Sequence, residues 1–312
     1  MKSIVFLFGA GASYGAGGTL PEQPPLGFQL YPILKHIYPS SWGAFSAYIK
    51  DIFTQDFEQG MQLIYDNYGA FIPQLMREMA IYFIQFRPYR SSTLYCRLIS
   101  DLNDTGMLGA TLFSTLNYEC LLEFSLLEHG HMSSYFDEGN SESIPVWKLH
   151  GSCNMFSYGI PASQGISYGT GILWEGGVQA FLDTNQIIQH CLVQTALAPV
   201  MCLYMRGKPL SVSPSVIRKL QRDWIRQVEA ASIIVCIGVR PLPEDTHIWE
   251  PLRATKARIY FIGDQGALES WCESSRRGFT EYVGDRFNTA YKNLMQRLLT
   301  HGTYNKLTVK EY

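Results

Sequence analysis

The segment at residues 3–8, SIVFLF, is a solid apolar run stopped by Gly9, and the pattern returns at 109–117 (GATLFSTLN), 144–151 (IPVWKLHG), 232–239 (SIIVCIGV) and 257–264 (ARIYFIGD). Strands with one wet face alternate apolar and polar residues, whereas strands apolar throughout are covered on both faces. Such strands need helices above and below them. Helical patterns do separate these runs, among them 118–130, closed by Gly130, and 213–231, with Ser213 as the expected N-cap and Pro214 as first helical residue. Another helix is expected near 286–300, and PVMCLYM (199–205) reads as a further strand. The expected fold is α/β: a doubly wound, mostly parallel, Rossmann-like sheet.

Residues 28–104 break that rhythm. Four segments there (28–38, 42–53, 57–86 and 91–102) carry apolar residues at three- and four-residue steps, as in Met76, Met79, Ala80 and Phe83. So long a stretch between strands one and two exceeds a simple crossover and reads as a helical insertion module. Residues 1–312 are expected to form a single domain carrying that module. Residues 153–185, rich in Gly, Ser and Tyr, suggest a small hairpin or a flap.

The chain is 46% hydrophobic and 17% charged, which supports a large core and leaves apolar surface suited to a homo-oligomer. A formal charge of −2, with no block of like charge, argues against direct nucleic-acid binding. Seven cysteines without a C-x-x-C pair argue against a four-thiolate zinc site and a disulfide framework; buried thiols in the cytoplasm are expected, and no metal. The apolar run after Lys2 is too short for a signal peptide, and none reaches the roughly 18 residues of a membrane span.

In a doubly wound sheet ligands bind beyond the carboxyl ends of the strands. After the first strand come Gly9, Ala10, Gly11, Ala12 and Ser13, small residues that let amides approach a ligand, commonly phosphate. Glycines at 9, 11 and 15 depart from the strict G-x-G-x-x-G spacing, and a plain strand-to-helix turn is the alternative. Asn117 ends the second strand, with Glu119 two residues on; its amide suits a sugar hydroxyl or carboxamide, or else caps the helix from Tyr118. His150, before Gly151, can exchange a proton near neutral pH. Gly238 and Val239 can bring backbone close to a ribose or phosphate, and Asp245 and His247 open the next helix. Asp264, after Gly263, either accepts from ribose hydroxyls or caps a helix.

Taken in this order, these features resemble the sirtuin-like (silent information regulator) family. Its NAD pocket is lined by a GAG-x-S loop, a strand-end T-x-N-Y-D or Q-N-x-D, an HG, a strand-end G-x-S or variant and a final polar strand end. The resemblance covers residues 3–25, 109–151 and 232–266. It implies that Gly9, Ala10, Gly11 and Ser13, in a loop with Ala12, hold the pyrophosphate, that Asn117 grips the nicotinamide ribose and that His150 is the catalytic histidine. Gly238 and Asp264 would face the adenosine, and Glu119, Gly151 and Val239 complete the implied NAD-binding set.

Three departures matter. The paired cysteines of the deacylases' zinc module are missing, a proline-rich 19–25 stands where they carry Phe-Arg, and the usual aspartate is Glu119. What remains resembles the bacterial sirtuin-like NAD hydrolases of anti-phage defence, whose loop also reads GAG-x-S followed by LP. The likeness implies an NAD glycohydrolase releasing nicotinamide and ADP-ribose, with NAD as substrate and no zinc. It further implies NAD depletion in abortive infection, a homo-oligomer and a separate sensor or ATPase partner. A protein deacylase or ADP-ribosyltransferase, and a non-catalytic NAD or ADP-ribose-binding assembly module, are the alternatives.

Overall fold

A computed structural model describes residues 1–137, 143–158, 174–242, 244–273 and 279–308. Seven strands form its central sheet: β1 (Ile4–Phe8), β2 (Thr111–Thr115), β3 (Met132–Ser134), β4 (Ser143–Lys148), β5 (Ile233–Ile237), β6 (Arg258–Ile262) and β7 (Thr280–Gly284). Their order is β7-β6-β5-β1-β2-β4-β3, and every neighbouring pair is parallel. This is the doubly wound Rossmann-like sheet expected.

Successive side chains of a strand point to opposite faces, and here both faces are covered. Phe6, Phe8, Phe113, Val235 and Ile237 belong to one core, where Tyr95 of the helical module and Phe287 of the C-terminal helix pack on Phe8. Val5, Leu7, Leu112, Ile234 and Cys236 belong to the other, with Trp224 and Val228 from helix Pro214–Ala230 and Ile248 and Leu252 from helix Thr246–Ala254. Each such side chain contributes about 1.5–3 kcal/mol of burial. β3 and β7 were not legible as strands because they lie at the two edges, where all residues but Val283 are half-buried or exposed and no solid apolar run is needed.

Between β1 and β2 the chain runs through helices Gly27–Ile37, Ala47–Gln55, Phe57–Tyr68, Ile72–Phe83 and Leu94–Asp104. Ser46, Asp56 and Thr93 cap three of them, each side chain accepting a first-turn amide. The Ser46 cap is why the helix expected from 42 begins only at Ala47; Trp42 instead fills the module's interior against Phe53 and Phe57.

Three other expectations are corrected. Ser213 stands at the N-cap position before Pro214, but its side chain does not cap: it sits at φ 50°, its hydroxyl pairs with Ser157, and Glu175 takes the first-turn amide of Ser215. Residues 199–205 form no strand, because tight turns such as Met201 N to Pro199 O and Met205 N to Leu203 O replace a ladder. The helix expected from Tyr118 starts at Leu121, whose amide is accepted by Glu119 Oε2 at 2.6 Å. Within 153–185, Met155–Tyr158 and Gly177–Ala180 do pair as a hairpin, residues 159–173 lie outside the described residues, and an unforeseen helix, Thr184–Val193, follows Asp183 as cap. Among the described residues no helix is long and apolar enough to cross a membrane.

Candidate active site

Because the strands are parallel, their carboxyl ends share one side of the sheet, and a cleft of about 1040 Å³ opens there. That is the size of a large ligand site, for which about 300–1,000 Å³ is usual. Its walls come from the residues that follow β1 (Gly9, Ala10, Gly11 and Ser13), β2 (Asn117, Glu119), β4 (His150), β5 (Gly238–Arg240), β6 (Gly263, Asp264) and β7 (Asp285, Arg286). Pro24, Pro25, Asp56, Glu58 and Phe83 close it from the proline-rich segment and the helical module.

Asn117 does not cap the helix. Its Nδ2 donates to the Gly9 carbonyl at 3.0 Å and to Ser13 Oγ at 2.9 Å. A carbonyl can only accept, so the amide orientation is fixed, and the atom left for a ligand is the acceptor Oδ1. Ser13 is equally committed. Its one proton goes to Glu119 Oε1 at 2.6 Å, so the hydroxyl accepts from Asn117 and from Tyr95 at 2.9 Å. Burial, with Glu119 nearby, pushes the Tyr95 pKa well above its ordinary value, which keeps its proton in place. Held by Glu119, Asn117 and Tyr95, the buried Ser13 hydroxyl positions Asn117, and Ser13 also borders the cleft.

The bare loop serves the protein as well as any guest. Gly9 N donates to Ile237 O, Gly11 N to Gly238 O and Ala12 N to Gly9 O, so these three amides are engaged internally. A Cβ on Gly9 would come within 2.5 Å of the Gly238 carbonyl, and Gly238 itself takes φ 62° against the Gly11–Ala12 backbone. Glycine is needed where the loops after β1 and β5 touch. Ala12 does not reach the cleft but fills the core, and Gly151 is likewise absent from the walls: at φ 73° it turns the chain under Val200, whose carbonyl a side chain would strike.

His150 is 3% exposed, its backbone carbonyl held by Cys202 N at 2.8 Å. Its Nε2 lies 3.0 Å from Nε2 of His247, with the Asp245 carboxylate close by. Burial, then His247 and Lys208, hold the His150 pKa well below 6.5; burial and Lys208 lower that of His247 to about 4. Both rings are therefore neutral at pH 7 and share one N–H between the two Nε2 atoms. Burial raises the Asp245 pKa against the opposing pull of Lys208. Lys208 in turn pairs with Glu58 of the helical module at 2.5 Å.

No protein-family model matches the chain, and no curated protein matches it. Among solved structures, Sir2 in complex with the inhibitor EX-527, 2′-O-acetyl-ADP-ribose and a deacetylated p53 peptide matches over 96% of this chain and 94% of that one, at 14% identity and a TM-score of 0.40.

The remaining candidates fall into place around the cleft. Val239 lines it, and so does Asp264, whose Oδ1 caps helix Gln265–Glu273 by accepting from Ala267 N at 2.7 Å. Glu119 also lines it, with both carboxylate oxygens already bonded. Reading the sequence overlooked the cations. Arg240 and Arg286, a few residues past the ends of β5 and β7, line the cleft with Lys208, a signal that strand-end inspection could have found. It also gave no role to Asp245 and His247, and none to Tyr95, whose link to Ser13 spans 82 residues.

Proposed function

We propose that the chain is an NAD hydrolase that cleaves the nicotinamide–ribose bond to give nicotinamide and ADP-ribose, and that it acts by NAD depletion in anti-phage defence. The observation that carries the reading is that one cleft is lined by Asn117, whose amide nitrogen is held by Gly9 and Ser13, by the buried His150 and by the cations Arg240, Arg286 and Lys208. The order of the GAG-x-S, N-Y-E and HG motifs along the chain supports it from the sequence side.

The chemistry asks little of the protein beyond positioning. The nicotinamide of NAD is already cationic and leaves neutral, so no general acid is required, while positive charge develops on the ribose carbon. Asn117 Oδ1 accepts from a ribose hydroxyl and fixes the sugar. His150, kept neutral by burial, takes the proton from the attacking water or a ribose hydroxyl. The arginines hold the pyrophosphate.

Incubating the purified chain with NAD and no protein acceptor tests this. Nicotinamide and ADP-ribose should appear in equal amounts, and Asn117→Ala and His150→Ala should each lower the rate about 10²–10³-fold, the cost of one well-placed polar group. Unchanged rates in both folded variants would refute the assignment, and a requirement for an acyl-lysine peptide would favour a deacylase.

A further inference from the structure

We propose that His150, His247 and Asp245 form a binding site for a divalent first-row transition metal of the zinc class, set within the cleft. Each residue offers one ligand atom, and the three atoms lie within 4.8 Å of one another. Two nitrogens bonded to one tetrahedral zinc at about 2.0–2.1 Å stand roughly 3.3–3.4 Å apart. The 3.0 Å between the two Nε2 atoms needs only a few tenths of an ångström of opening. Asp245 comes from the start of helix Thr246–Ala254, His247 from its first turn and His150 from the end of β4, so two anchored elements hold the set.

A second observation points the same way. Asp245 is 5% exposed, yet among the described residues its carboxylate accepts no hydrogen bond, not even from the helix it opens. Asp245 borders the cleft, so its carboxylate is open to a ligand there. A cation between the rings would supply its partner, bound by one nitrogen of each imidazole. Lys208 opposes a cation here, but Glu58 at 2.5 Å balances its charge. Three protein ligands leave a fourth position for water or substrate.

Resting on the hydrolase reading, the metal acts as a brake. It takes the His150 lone pair and sets a dication beside a ribose carbon that must become positive. Metal binding itself is independent of that reading and is measured separately.

The test titrates the chelator-stripped full chain with Co²⁺, reading the visible ligand-field bands and the bound metal. One Co²⁺ per chain is expected, displaced by Zn²⁺, with affinity at least tenfold weaker in His247→Gln and in Asp245→Asn at unchanged circular dichroism. Should His247→Gln fail to fold, Asp245→Asn alone decides. No saturable binding by the wild type, or unaltered binding in the folded variants, would overturn the site. Bound cobalt that leaves NAD cleavage unaffected would overturn the brake, and bound cobalt on a chain that never cleaves NAD would sink only the hydrolase reading.

Discussion

Ser13→Ala removes a single oxygen on which three partners converge. The hydroxyl donates to Glu119 at 2.6 Å, a hydrogen bond to a charged group, for which about 1.5–3 kcal/mol is typical. Its loss also leaves the Tyr95 hydroxyl, on a residue 1% exposed, without its acceptor, at about 1–3 kcal/mol more. The variant should therefore unfold with roughly 3–5 kcal/mol less stability in urea, a large part of the 5–15 kcal/mol usual for a domain. Tyr95→Phe takes away one neutral donor and leaves Ser13 bonded to Glu119 and Asn117; its cost should be only about 0.5–1.5 kcal/mol. Cleavage of NAD should fall in Ser13→Ala beyond what unfolding explains, because Asn117 keeps its bond to Gly9 but loses the second anchor. Equal stability of Ser13→Ala and wild type, or a larger loss in Tyr95→Phe than in Ser13→Ala, would refute the hub.

Other expectations follow from the same structure. His150 and His247 have folded-state pKa values below the roughly 6.5 of the unfolded chain, so the unfolded state binds more protons in acid. Stability should hold above pH 7 and fall as pH drops from about 6.5 toward 4, His247 contributing up to roughly 3 kcal/mol; His247→Gln should flatten that slope in urea titrations at stepped pH. By the same sign, the acid limb of activity should lie below pH 6.5. Lys148 Nζ lies 3.0 Å from Glu123 Oε1, both side chains buried, although neither Glu123 oxygen has an aligned hydrogen bond, so their attraction is that of an ion pair. Lys148→Met should cost about 3–5 kcal/mol, and adding Glu123→Leu should recover much of it in thermal unfolding. Gly238→Ala, at φ 62° against the Gly11–Ala12 backbone, should destabilise by more than about 1 kcal/mol and weaken NAD binding, read by calorimetry.

The central strands were legible because burial on both faces leaves an unmistakable apolar run, as in Ile4–Phe8 and Ile233–Ile237. That same pattern carried the site, since parallel strand ends fall together and bring Asn117, His150, Gly238 and Asp264 to one cleft. What stayed hidden depends on contacts between distant residues. Ser213 had the right neighbours for an N-cap, yet a left-handed backbone and the partner Ser157 gave that task to Glu175. The spacing of the glycine loop says nothing of Gly238, against which it packs. His247 sits 97 residues from His150, and only the fold joins them.

The most direct measurement is a crystal structure with a non-hydrolysable NAD analogue bound. The nicotinamide ribose should lie within hydrogen-bonding reach, about 2.6–3.2 Å, of both Asn117 Oδ1 and a His150 nitrogen, its pyrophosphate near Arg240 or Arg286. A nucleotide bound the other way round, or outside the cleft, would contradict the assignment.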